Sequence, residues 1–229
     1  MDAKLAVLSF DDAVSNHATF VAPLLKEYGF GATFYVTEYA GEGTDHFETD
    51  KSQYMTWAQI RGLDEAGFEV GNHTGHHALM RDLSDAAMTA EIDFIEERCR
   101  THGVTAPRTF CYPCGVWDEA AVNLLRKRGY RLARTTESRA YLPAKDDPLL
   151  VPSFVIEEKE AGGFEAGLRK AEEVGGVAVF TLHGVPDYNH PWVTLSPERF
   201  REYMDLLKAE GWQVVAMRDL EKWMPAQTR

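Results

Sequence analysis

The run Leu5-Ala6-Val7-Leu8-Ser9-Phe10-Asp11-Asp12 decides how this chain is read. Six residues with a single hydroxyl among them present no polar face. They therefore read as a strand buried on both sides, the pattern of a parallel sheet covered by helices. The run ends on two adjacent carboxylates. A second strand-like stretch, Phe68-Glu69-Val70-Gly71, leads into Asn72-His73-Thr74-Gly75-His76-His77. Within that triplet of imidazoles His73 and His77 stand at i and i+4, which leaves His76 as a neighbour rather than a ligand. Two histidines and one carboxylate give a catalytic metal its protein ligands and leave positions open for water and substrate. One carboxylate is then left over to accept a proton from that water. Metal-assisted hydrolysis is the chemistry these two segments imply.

Working outward, apolar runs alternate with helical patterns almost to the end of the chain. Strands are expected at 4–10, 31–36, 68–71, 108–112, 130–134, 177–182 and 213–217. Helices are expected at 18–28, from Thr56 to Gly67, at 84–100, 118–128 and 164–174, and from Ser196-Pro197 onward. Thr56 with Gln59 three residues later makes a capping box, and Pro197 suits a first helical turn. Strands alternating with helices of this length mean βαβ units and a parallel sheet. The expected fold is α/β, a deformed barrel of seven or eight β/α units, with residues 1–229 forming one domain. Four polar clusters then fall at C-terminal ends of strands: Asp11-Asp12, His73 to His77, Tyr112-Pro113-Cys114-Gly115, and His183. That is the active-site face of a barrel.

The composition narrows the field. A net charge of −12 with no basic stripe argues against a nucleic-acid or anionic-membrane partner. No apolar run approaches the roughly 18 residues that span a bilayer, and Met1-Asp2-Ala3-Lys4 lacks the features of a signal peptide, so the expected location is cytoplasmic. Three cysteines do not make a disulfide framework. Cys111 and Cys114 have the spacing of a redox pair, but Gly115 follows at once where such pairs open a helix, so they read as loop cysteines beside the site, with Cys99 in the core. The acidic segment from Gly41 to Tyr54 reads either as a lid or as a solvated excursion.

These motifs resemble the polysaccharide deacetylase family, also called the NodB-homology domain or carbohydrate esterase family four. Ser9-Phe10-Asp11-Asp12 matches its first motif and His73-Thr74-Gly75-His76-His77 its second. Thr181-Leu182-His183 is similar to its fifth, with the leucine displaced by one position. The resemblance implies Asp11 as general base, Asp12, His73 and His77 as metal ligands and His183 as general acid. It also implies that the backbone near Cys114 helps hold the oxyanion, with Tyr112 and Pro113 beside it. The implied cofactor is a divalent transition metal, zinc by preference, with cobalt, nickel, iron or manganese as alternatives. The implied substrate is an N-acetylated sugar.

Two departures stand out. Cys111 occupies the place of an arginine that many members use to orient the base, and the fourth motif is not recognisable near Tyr130 to Ser138, where Arg134 is the residue able to replace the lost support. Trp117, Tyr188 and Trp192 are candidates for stacking on a sugar ring. His17, His46 and His102 carry no assignment, while His190 lies in a loop that reaches toward the cleft. Hydrolysis of a non-sugar amide, cyclic imide or ureide is the runner-up. A catalytically dead carbohydrate-binding domain is the alternative from another class, and the retained Asp11 and His183 speak against it. The sequence leaves the oligomeric state open.

Overall fold

A computed structural model describes residues 4–39, 53–159 and 162–224. Among these residues eight parallel strands are present: β1 Leu5–Phe10, β2 Thr33–Val36, β3 Glu69–Asn72, β4 Thr109–Cys111, β5 Leu132–Arg134, β6 Phe154–Val155, β7 Val177–Leu182 and β8 Gln213–Val215. Seven of them run in the order β5-β4-β3-β2-β1-β7-β6, and β8 pairs with β1 off this path. β1 is the axis of the sheet. It pairs along its whole length with β7, through Ser9 and Phe10 with β2, and through Leu5 to Val7 with β8. Neighbours on both edges and helices behind are why all six of its residues are buried. The sheet curls until Arg134 of β5 bridges Val151, just ahead of β6, so the barrel is joined there by a single bridge.

Among the described residues six α-helices follow the strands: α1 Ala22–Tyr28, α2 Trp57–Glu65, α3 Asp85–His102, α4 Glu119–Arg128, α5 Gly163–Val174 and α6 Pro197–Ala209. Thr56 caps α2 through the expected box, its Oγ1 accepting from Gln59 N at 3.1 Å while Gln59 Oε1 accepts from Thr56 N at 2.8 Å. Two local readings need correction. The helix expected from Ala18 begins as a π turn, His17–Val21, before α1 takes over. Pro23 has no N–H to continue the α pattern, and the wider turn absorbs the break. β6 was not anticipated, because two residues are too few for a period-2 signal. Among the described residues, no helix is long and apolar enough to cross a membrane. The segment read as a lid, from Gly41 to Tyr54, lies almost entirely outside the described residues.

Strand alternation sorts the side chains. Ala6, Leu8 and Phe10 join the apolar layer beneath the helices, whereas Leu5 and Val7 pack with Leu132, Val177, Val179 and Met217 inside the barrel. Counting on by twos from the inner set reaches Ser9 and Asp11 on β1, Arg134 on β5, and Thr181 and His183 at the end of β7. The barrel interior is thus apolar at its base and polar at the C-terminal face. The 3-10 segment Met217–Trp223 contributes to that base.

Candidate metal centre and active site

The end of β1 turns sharply. Asp11 N donates to Leu182 O at 2.9 Å, which ties the turn to β7. Asp12 and Ala13 then adopt positive φ of 72° and 51°. Tyr39, His77 and Cys114 also have positive φ, and they line the same cavity as Asp12. Left-handed backbone at residues with a Cβ persists only where the surroundings over-determine it, and such residues gather at functional sites.

The histidine loop is held just as closely. Asn72 Oδ1 accepts from Thr74 N at 2.9 Å, and Thr37 Oγ1 accepts from His77 N at 3.0 Å. Gly75 has to be glycine, since a Cβ there would lie 2.8 Å from the Phe94 side chain. His73 Nδ1 donates to Cys111 O at 2.8 Å. A carbonyl can only accept, so Nδ1 carries a proton, and Nε2 is the nitrogen that faces the carboxylates. His73 Nε2 lies 3.6 Å from Asp12 Oδ1, and His77 Nε2 lies 3.7 Å from the same oxygen. Burial, and then the neighbouring His73, push the His77 imidazole down to about 4, which keeps it neutral near pH 7.

Asp12 Oδ1 is buried and has no hydrogen-bond partner among the described residues. Two imidazoles and a carboxylate converging around an orphaned oxygen fit a metal ion. Donors about 2.1 Å from a tetrahedral ion lie roughly 3.4 Å apart, close to what is seen. Asp11, His73 and Cys111 form a second cluster with ligand spacing. It suits a cation poorly, because the Arg134 guanidinium already bonds both Asp11 and Cys111.

Asp11 is handled differently from Asp12. Arg134, fully buried, donates through Nη2 to Asp11 Oδ2 and to Cys111 Sγ, and through Nη1 to Thr181 Oγ1 and Ser153 Oγ. The Cys111 thiol lies 3.6 Å from the same Asp11 oxygen. Burial by itself would raise the Asp11 pKa, but the Arg134 charge, with His73 and His183 adding to it, holds the group well below the usual carboxylate range. Cys111 stays a thiol, since burial pushes it well above its ordinary value. Asp11 Oδ1 has no hydrogen-bond partner among the described residues. One oxygen is therefore pinned and the other is available to accept a proton.

His183 Nε2 and His190 Nδ1 each lie 3.8 Å from Asp12 Oδ2, away from the oxygen that faces His73 and His77. Tyr39 lines the same cavity, and its ring lies 5.0 Å from that of His77. The resulting cavity of about 480 Å³ brings together Asp11, Asp12, His73, His77, Tyr112, Cys114, His183 and Trp192. Gly115 has φ of 68°, and a Cβ there would stand 2.1 Å from Thr136 Oγ1, so only glycine allows this turn.

Other expectations fall outside the cavity. Pro113 is buried at the start of the turn Pro113–Gly115 and does not line it. Trp117 bridges Met80 instead. Tyr188, 84% exposed, points to neither wall nor floor. His76 pairs with Glu91 at 2.8 Å on the outside. Cys99, Cys111 and Cys114 are all free thiols.

Sequence reasoning missed Tyr39, whose only clue is that it sits three residues past a strand end. It also missed His17, which is fully buried and donates from Nε2 to His183 O at 3.1 Å, fixing the backbone that carries His183. Burial lowers the His17 pKa to about 4. The unfolded chain, near 6.5, then binds a proton that the native chain refuses between those limits. Stability is expected to fall as pH drops from about 6.5 to about 4, with His17 contributing roughly 3 kcal/mol. Urea denaturation at several pH values should show a shallower acid limb in His17→Gln than in the wild type.

The polysaccharide deacetylase family model matches residues 1–133, more than half of the 229-residue chain. The peptidoglycan-N-acetylmuramic acid deacetylase PdaA of Bacillus subtilis is 26% identical over 132 residues, covering 56% of this chain and 45% of that protein. The poly-beta-1,6-N-acetyl-D-glucosamine N-deacetylase of Staphylococcus aureus is 21% identical over 161 residues, 66% of this chain and 54% of its own. The chain thus spans about half the length of the curated relatives it matches. Among solved structures, a CE4 family pseudoenzyme from Bacillus anthracis superposes with a TM-score of 0.66 at 16% identity, covering 96% of this chain and 66% of that one. That likeness confirms the deformed barrel. Because the neighbour is a pseudoenzyme, activity has to be argued from the site and not from the fold.

Proposed function

The chain belongs to the polysaccharide deacetylase family, and from that premise we propose that it is a metal-dependent hydrolase removing N-acetyl groups from an amino sugar of a glycan or glycan precursor. One observation carries the reading. Asp12 Oδ1, His73 Nε2 and His77 Nε2 converge beside a second carboxylate, Asp11, that has one oxygen pinned and one free.

Asp12, His73 and His77 would hold the metal, with zinc suited to two imidazoles and a carboxylate and cobalt, nickel, iron or manganese also compatible. When bound, it polarises the acetyl carbonyl and lowers the pKa of a water molecule from 15.7 to about 7. Asp11 accepts the proton of the attacking water on Oδ1. Arg134 keeps that carboxylate ionised and aimed. His183, carried on the backbone that His17 fixes, gives a proton to the nitrogen as the C–N bond breaks, so that acetate and a free amine leave. The Cys114 N–H, in a turn that opens onto the cavity, is the donor offered to the developing oxyanion. Tyr39 and the buried walls limit the water that can compete for these groups.

The test is metal analysis of the purified chain together with acetate release from N-acetylglucosamine oligomers. One bound transition metal, with release that stops on chelation and returns on metal addition, is the expected result. A fully metal-loaded chain that frees no acetate from any N-acetylated sugar would overturn the assignment.

A further inference from the structure

One wall of the cavity takes no part in the chemistry above. It is formed by the part of the loop after β7 that lies beyond His183, which is held at more points than a connection between two elements requires. Asp187, 2% exposed, accepts from the backbone N–H groups of Gly184 at 3.1 Å, Asn189 at 3.0 Å and His190 at 2.7 Å. Its own N–H donates to Thr194 Oγ1 at 2.8 Å. From across the barrel mouth, Asn16 accepts from Val185 N at 3.0 Å and donates to Pro186 O at 2.7 Å. This braced loop nevertheless leaves Trp192 59% exposed on the cavity wall, edge-on to the His190 ring with centroids 5.4 Å apart. Asp187 positions His190 through its backbone N–H, and the ring Nδ1 lies 3.5 Å from Asp187 Oδ1 and 3.8 Å from Asp12 Oδ2. An indole left in water forgoes burial that is ordinarily favourable, and here the backbone beneath it is fixed.

We propose that this loop is a preformed sugar-recognition arm. Trp192 stacks on the pyranose bearing the reacting acetamido group, and His190, positioned by Asp187, hydrogen-bonds one of that ring's hydroxyls. A pyranose offers what the pair demands, a C–H-rich face for the indole and hydroxyls around its rim for the imidazole. A cyclic imide or a small aliphatic amide has no such face and rim. The inference rests on the deacetylase reading and narrows it to substrates recognised through their sugar ring.

Kinetics on the N-acetylglucosamine tetramer test it. Trp192→Ala is expected to raise KM about tenfold with kcat little changed, while Trp192→Phe keeps most of the wild-type KM. His190→Ala should raise KM as well, and His190→Asn, which retains a side-chain donor, should recover part of it. Calorimetry on metal-loaded Asp11→Asn gives a readout that needs no turnover: adding Trp192→Ala should weaken tetramer binding by a similar factor. If KM in Trp192→Ala stays at the wild-type value, or kcat falls at constant KM, the arm is wrong and the deacetylase reading stands. If the wild type binds metal yet releases no acetate, the deacetylase reading fails. Calorimetry then decides the arm alone: tetramer binding that depends on Trp192 supports it, and no binding overturns it.

Discussion

Asp11→Asn lowers kcat by about 10²–10⁴-fold, the usual worth of a positioned base, and leaves the metal in place. Asp12→Ala releases the metal and takes turnover to background. The two carboxylates are adjacent in sequence, so only their surroundings separate the outcomes. Asp12 Oδ1 faces two imidazole nitrogens and has no donor of its own. Deleting that carboxylate leaves two ligands where three are wanted. Asp11 Oδ2 is engaged by Arg134, and an asparagine can still accept from that guanidinium through its amide oxygen. The variant keeps the fold and the metal corner but has no basic oxygen to offer water. Metal content by mass spectrometry beside acetate release separates the two cases. Retained turnover in Asp11→Asn would remove Asp11 from the chemistry.

The groups legible in the sequence share a property: each depends on a strand end and a few residues beyond it. Asp11 and Asp12 follow a run whose burial is evident from its composition, and His73 and His77 follow β3 by the same logic. What the sequence could name only as a candidate, Arg134, depends for its contact on the barrel being closed. Arg134 meets Asp11 across 123 residues of chain. That contact exists only because period-2 counting on β1 and on β5 brings both side chains to the same interior layer, and the register between distant strands is not written in either one. His190 and Asp187 are hidden for a different reason. Their pairing is made by a loop whose path is set by Asn16 and Thr194, and no local pattern announces such braces. The π turn at His17–Val21 carried a signal in Pro23, but the spacing of Phe20, Leu24, Leu25 and Tyr28 fits an unbroken helix equally well.

The displaced arginine also explains why a cysteine is tolerated at position 111. A guanidinium arriving from β5 fills the space beside Asp11, and the strand that could have supplied it from β4 needs only a small, neutral side chain. The Cys111 thiol meets that need while its backbone carbonyl orients His73. One residue thereby links the base to the metal corner, through its side chain on one side and its main chain on the other. A bulkier residue at 111 would press on Arg134 and on the His73 tautomer together.

Arg134→Met is expected to cost about 3–5 kcal/mol of stability, because it leaves the Asp11 carboxylate buried without its partner. The pH dependence carries the sign. In the wild type the Asp11 pKa lies below its unfolded value, so the group stabilises the fold above the ordinary carboxylate range and loses that contribution as pH falls through the folded pKa. Without Arg134 burial dominates and the folded pKa moves above the unfolded one, so Asp11 opposes folding at neutral pH. The gap between wild type and variant in urea denaturation should therefore be wide at pH 7 and narrow toward pH 4. Turnover should fall as well, with the acid limb of the kcat profile displaced to higher pH. A raised pKa makes Asp11 the stronger base, so basicity alone predicts a faster enzyme. Position is expected to win, since a carboxylate free to rotate no longer holds Oδ1 toward the water. Arg134→Met combined with Asp11→Asn discriminates a positioning role from a purely structural one. Removing the buried charge should restore much of the lost stability, yet turnover should remain as low as in Asp11→Asn alone. If Arg134→Met keeps wild-type kcat across the pH range, the arginine is a structural brace and the base is aimed by other means.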